Sequence, residues 1–80
     1  MQDEKVFRNI ETLAEEEHEL FAKQAARQAT DADNARLKEI QIMLDQCWDL
    51  LRQRRAKRDA GQDPDEAKVR SPKIVENYQR

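Results

Sequence analysis

The sequence predicts an all-α fold: an antiparallel helical hairpin followed by a short helical C-terminal tail. Two apolar stripes repeat with alternating steps of four and three residues, which keeps their side chains on one face of a helix. Thr30 and two nearby aspartates lie between the stripes and are typical of a helix start. One glycine and two prolines are too few for a chain rich in turns and strands. The stripes are Val6, Ile10, Leu13, Glu17, Leu20 and Gln24, and then Leu37, Ile40, Leu44, Cys47 and Leu51.

The first helix is predicted to begin at Asp3, a suitable N-cap, and to continue to about Gln28, because no residue before that point breaks a helix. The turn is expected at about residues 28–31. Thr30 then caps the second helix, and Asp31 and Asp33 place negative charge in its first turn, where the helix dipole favours it.

The second helix is predicted to end at about Asp59 or Ala60, with Gly61 in the left-handed position that follows many helices. Residues 1–61 then form the hairpin, and residues 62–80 form a tail with short helical turns. Asp63-Pro64 and Ser71-Pro72 are the two helix-start signals of the tail. Partial docking of the tail on the hairpin is expected through its apolar residues, which are Val69, Ile74, Val75 and Tyr78.

Length and composition restrict the class of protein. Eighty residues allow one domain, whose core is marginal unless it oligomerises. No apolar run approaches the ~20 residues of a membrane span, and the polar first residues do not resemble a secretion signal. A single cysteine excludes an internal disulfide and fits a reducing compartment. These observations favour a cytoplasmic protein that does not act in a membrane.

Each apolar stripe is wider than a two-helix contact requires. Phe7, Phe21, Leu50 and Trp48 extend the stripes sideways. The tail could cover this excess, but a lone helical hairpin is rarely stable by itself. We therefore expect a homodimer in which two hairpins form a four-helix bundle through these four residues. An unknown protein partner remains possible.

A basic run at the end of the second helix is the clearest charged feature. Its members are Arg52, Arg54, Arg55, Lys57 and Arg58. In a hairpin they pass near the acidic start of the first helix, so we expect them to serve as a counter-charge and a protein-docking surface. Binding of nucleic acid is the alternative. Acids follow the run at once and no aromatic residue interrupts it for base stacking, which makes that alternative weaker.

Catalysis and metal binding find little support in the residues. Glu15 and His18 have the Glu-x-x-His spacing of di-iron bundles, but both fall on the outer face of the first helix. Cys47 lies on the apolar stripe, where a thiol is a poor nucleophile. We therefore expect a chain that is not an enzyme and that uses no cofactor or metal.

Three segments carry a family resemblance. They are Leu44-Asp45-Gln46-Cys47-Trp48-Asp49-Leu50-Leu51-Arg52-Gln53-Arg54-Arg55-Ala56, the tail from Gly61 through Asp63-Pro64-Asp65-Glu66-Ala67 to Val69-Arg70, and Ala14-Glu15-Glu16-Glu17-His18. Together they resemble a family of short, mostly actinomycete proteins classed as a domain of unknown function. The resemblance implies a small, stand-alone helical protein, and it assigns no activity and no site residue.

Overall fold

The computed structural model describes the backbone of residues 2–78 and the side chains of residues 3–75. Its elements are helix α1 (Gln2–Ala25), helix α2 (Asp31–Asp59), a short 3-10 helix (Pro64–Glu66) and helix α3 (Pro72–Tyr78). Within this described part of the chain there is no strand. The predicted all-α class is confirmed.

The chain doubles back between α1 and α2, and the two helices pack against each other. At one end, the Gln24 side-chain amide donates a hydrogen bond of 2.8 Å to Asn34. At the other end, Asp3 contacts Arg54, 51 residues away in the sequence. The longest dimension is 49 Å, whereas a single rod of about 55 residues would exceed ~80 Å.

The two apolar stripes form the core between α1 and α2. Leu20, Leu37 and Ile40 are its buried centre, and Ile40 is fully buried. Leu13, Met43 and Leu44 pack against this centre. Among the polar members of the stripes, Glu17 and Cys47 are only half-buried and Gln24 is exposed. Few large side chains are therefore completely removed from water, which keeps the core of the single chain small.

The start of α2 agrees with its prediction in detail. Thr30 accepts a hydrogen bond of 3.0 Å from the Asp33 backbone N–H, and its own N–H donates one of 3.1 Å to the Asp33 carboxylate. This reciprocal capping box satisfies backbone donors that have no partner within the helix. It fixes the point at which the chain turns.

The end of α1 differs from its prediction, because the helix stops at Ala25 rather than at about Gln28. Arg27 has a φ of 58°, the left-handed conformation that glycine usually supplies. The Gln28 N–H donates a bond of 2.8 Å to the Lys23 carbonyl, which closes the last turn. The sequence did not reveal this end because its residue at the left-handed position is an arginine.

Arg27→Gly is expected to raise the free energy of unfolding by about 0.5–1 kcal/mol, because glycine adopts a positive φ without the steric cost of a Cβ. The urea midpoint measures the gain. Arg27→Ala is the matched control: it also removes the guanidinium but keeps the Cβ, so it should give no gain. Equal gains in both variants would contradict this explanation.

The tail lies on α2. Gly61 has a φ of 73° and follows α2, as predicted. Gln46 and Gln53 donate side-chain hydrogen bonds to the carbonyls of Arg70 (3.0 Å) and Lys68 (2.8 Å). Val75 is buried, so the tail docks as expected.

The apolar residues of the tail contribute unequally to this docking. Val69 and Ile74 stay exposed, and the side chain of Tyr78 lies outside the described residues. Hydrogen bonds from Gln46 and Gln53 to backbone carbonyls therefore act together with the buried Val75 to hold the tail on α2.

Candidate interaction surface

Three exposed aromatic side chains form the main candidate site, which we call the aromatic face: Phe7, Phe21 and Trp48. Their exposed fractions are 50%, 44% and 44%. The rings of Phe7 and Trp48 meet edge to face, with centroids 6.5 Å apart and planes at 77°. Such a pair contributes about 0.5–1.5 kcal/mol beyond its buried area, and it fixes both rings at one end of the face.

Helical spacing explains why these residues share a side of the molecule. Phe7, Ala14 and Phe21 are seven residues apart, so they form a row along α1 beside its inner stripe. The two phenylalanines are about 21 Å apart along the helix. Ala14 between them is exposed and small, so the face stays shallow there. The result is a long and mainly apolar strip.

Leu50, the fourth residue of the predicted dimer interface, lies apart from the aromatic face. It is half-buried and lines a groove of about 420 Å³ between α1, α2 and the tail. We call this the apolar groove; its apolar lining is Val6, Leu13, Met43, Cys47, Leu50 and Val69. Leu50 and Trp48 both lie beside the apolar stripe of α2, but on opposite sides of it, so they belong to different surfaces.

The apolar groove offers little chemistry. Burial raises the pKa of the Cys47 thiol, so its reactive thiolate form is disfavoured. The other groups that line it are aliphatic or neutral polar side chains. The groove is therefore suited to packing rather than to covalent catalysis.

The basic run splits into two sets. Arg54 is buried, so it serves as a counter-charge inside the fold and does not contribute to an exposed protein-docking surface. Its guanidinium donates to Asp3, to Asp65 at 3.2 Å and to the Pro64 carbonyl at 3.1 Å. Arg54 thus joins α1, α2 and the tail.

Two further bases of the run meet acids. Arg58 lies 3.0 Å from Asp3, and Lys57 lies 3.8 Å from Glu66. Arg52 and Arg55 remain exposed. The positive charge available to a phosphate backbone is therefore much smaller than the run of five bases suggested.

A second polar contact fastens the tail and was not predicted. Asp49 is buried on α2. Arg70 of the tail lies 3.4 Å from its carboxylate, and Gln53 donates a bond of 2.9 Å to the same group. The sequence signal was weak, because Asp49 and Gln53 occupy the polar side of α2 and only the docked tail buries them.

Glu15 and His18 are exposed on α1. Across the part of the chain that the structure describes, no three histidine, cysteine or acidic side chains come together as metal ligands would. Among residues 2–78, none of the helices combines the length and the apolar character that crossing a membrane requires.

Acid is expected to destabilise the fold below about pH 4. Hydrogen bonding from Arg54 holds the pKa of Asp3 below its ordinary value of 3.8, and Arg36 lowers the pKa of Glu16 in the same way. A pKa lowered by folding contributes stability that is complete above the unfolded value and is lost as the pH falls through the folded value. Urea midpoints measured at about pH 7 and pH 2.5 test this, and equal midpoints would contradict it.

Comparisons with known proteins agree with the family resemblance. A family model described as "Protein of unknown function (DUF2630)" matches residues 2–80. An uncharacterised protein of Mycobacterium bovis is 44% identical over 77 residues, which cover 95% of this chain and 88% of that protein. An uncharacterised protein of Mycobacterium tuberculosis matches to the same extent. No solved structure matches the chain significantly. The chain therefore belongs to the family of proteins of unknown function DUF2630.

Proposed function

We propose that this chain is a homodimeric structural or protein-interaction module of the cytoplasm with no catalytic role. Two helical hairpins pack through the aromatic face, and the four long helices form a bundle. The observation that carries the proposal is the exposure of Phe7, Phe21 and Trp48 along one side of the single chain. Burying these rings against a second copy contributes a favourable free energy of about 25 cal/mol per Å² of apolar surface removed from water.

The small core of the single chain supports the same proposal. Among the described residues, the buried hydrophobic side chains are Val6, Leu20, Leu37, Ile40 and Val75. Short domains with so few buried side chains gain stability from oligomerisation. A second copy would bury the aromatic face and enlarge this core at once.

Sedimentation equilibrium tests the proposal. We expect a dimer with a dissociation constant between about 1 and 100 µM. Across this range of concentration the average mass should rise from the monomer value of 9.5 kDa toward twice that value. The unfolding midpoint should rise with concentration over the same range, because association stabilises the folded state. A chain that stays monomeric and folded throughout would refute the dimer.

Nucleic-acid association through the basic run is the alternative, and exposed Arg52 and Arg55 are the observation that favours it. We expect binding to arbitrary DNA or RNA no tighter than tens of micromolar at ~150 mM salt. The reason is that Arg54 and Arg58 already pair with acids of this chain. Fluorescence anisotropy titrations measure this, and nanomolar binding that Arg52→Glu abolishes would establish the alternative.

A further inference from the structure

A row of alternating charges runs along α2 beside the aromatic face. Asp31, Lys38, Asp45 and Arg52 are each seven residues apart, and they lie next to the row that contains Trp48. Asp45 is half-buried and the other three are exposed. Among the described residues, no ion pair involves any of these four. Their charges are therefore available to a partner.

An alternating row of this kind is complementary to itself when it is reversed. If α2 of a second copy runs in the opposite direction, with Gln41 opposite Gln41, then Lys38 lies within one residue of the level of Asp45, and Asp31 lies within one residue of the level of Arg52. Two-fold symmetry repeats each pair, because a contact from one copy to the other is returned. Four ion pairs then border the contact between the two α2 helices.

Helix α1 also carries a row of side chains that is complementary to itself when it is reversed. Its row of Phe7, Ala14 and Phe21 is symmetric about Ala14. Reversal places Phe7 of one copy opposite Phe21 of the other, with the two small Ala14 side chains between the ring pairs. In the next row outward, Glu11 then faces His18. The reversed contact therefore covers the exposed phenylalanine rings and places the Glu11 carboxylate beside the His18 imidazole.

The observed packing places Ala14 and Gln41, the centres of the two rows, at the same level along the helix axes. The ring contact sets Phe7 level with Trp48. Because α1 and α2 run in opposite directions, seven residues forward from Phe7 and seven residues back from Trp48 cover the same distance in the same direction. Ala14 is therefore level with Gln41. A single two-fold axis across the face therefore satisfies both helices, although each centre comes from a different part of the sequence.

We propose that the occupant of the aromatic face is a second copy of this chain with its helices reversed, about a two-fold axis that lies in the interface and passes between the two copies of Ala14 and between the two copies of Gln41. The inference rests on the proposed dimer and specifies its geometry. The other face-to-face arrangement has its axis parallel to the helices and sets α1 of one copy opposite α2 of the other. It would set Glu4 near Arg52 but bring Glu11 near Asp45 and Lys38 near His18. The reversed arrangement pairs all four charges of the α2 row, so electrostatics favours it.

Charge reversal tests the geometry. At low salt, Lys38→Glu and Asp45→Lys should each weaken dimerisation by about tenfold, because each turns two attractive pairs into repulsive ones. The double variant restores opposite charges and should return to within about twofold of the original affinity. Lys5→Glu is the matched control: it changes the net charge equally on the far side of α1, and it should have no effect.

Cross-linking adds a test that does not depend on charge. In a Cys47→Ala background, Gln41→Cys should form a disulfide between copies on mild oxidation, because the axis brings this position opposite itself and a disulfide requires Cα atoms within about 7 Å. Lys38→Cys should not, since the two copies of that position are separated along the helices by about 9 Å.

The outcomes separate the two proposals. A wild-type chain that stays monomeric refutes the dimer and the geometry together. A wild-type dimer whose affinity is unchanged by either single reversal, and which does not cross-link at position 41, overturns the geometry alone. Weakening by both single reversals with recovery in the double variant supports it.

Discussion

Arg54→Ala is expected to lower the free energy of unfolding by about 2–3 kcal/mol. The Arg54 guanidinium is buried and joins Asp3 of α1 to Asp65 and the Pro64 carbonyl of the tail. Its removal leaves the half-buried Asp3 carboxylate with one fewer cation and loosens the tail. The loss is smaller than for a fully buried pair because Asp65 is exposed to solvent. Urea unfolding followed by circular dichroism measures it.

Arg55→Ala is the control for Arg54→Ala. It is the next residue, has the same side chain and is exposed, so its removal should change the free energy of unfolding by less than about 0.5 kcal/mol. Asp3→Asn should reproduce part of the Arg54→Ala loss, because it removes the carboxylate partner. Equal, small losses for Arg54→Ala and Arg55→Ala would contradict the role given to the buried guanidinium.

Trp48→Glu is expected to weaken dimerisation at least about 100-fold, because it places a charge where an aromatic contact would be desolvated. Since Trp48 is 44% exposed in the single chain, the monomer should lose mainly the ring contact with Phe7, about 0.5–1.5 kcal/mol, and keep its helical circular dichroism. Sedimentation equilibrium gives the dissociation constant, and circular dichroism shows that the chain is still folded.

Val69→Glu separates the two apolar surfaces. Val69 is exposed and lines the apolar groove rather than the aromatic face, so the same kind of substitution there should leave dimerisation within about twofold. A large effect of Val69→Glu with none from Trp48→Glu would move the interface to the apolar groove and overturn the proposed use of the aromatic face.

Periodicity and capping were enough to predict that the chain is all-helical with two long packed helices. The spacing of Leu37, Ile40 and Leu44 depends only on helix geometry, which the sequence records directly. The Thr30 cap and the left-handed Gly61 were also visible, because short-range backbone chemistry determines both. The end of α1 was placed too late, since Arg27 adopts a conformation that its side chain does not favour.

Contacts between distant segments could not be read from the sequence. Arg54 and Asp49 are buried because the tail covers them, and no local pattern specifies the path of a 19-residue tail. The position of Leu50 relative to Trp48 has a related cause: a residue next to an apolar stripe can lie on either side of a helix. Only the packed structure decides between these sides.

The fluorescence of Trp48 tests the central proposal most directly, because it is the single tryptophan of the chain and lies on the aromatic face. As concentration rises and the measured mass approaches that of a dimer, its emission should shift to shorter wavelength and its quenching by acrylamide should fall. Both changes should follow the dimer fraction and be absent in a variant that remains monomeric, such as Phe7→Glu. A dimer that forms while the emission and quenching of Trp48 stay constant would show that another surface is buried.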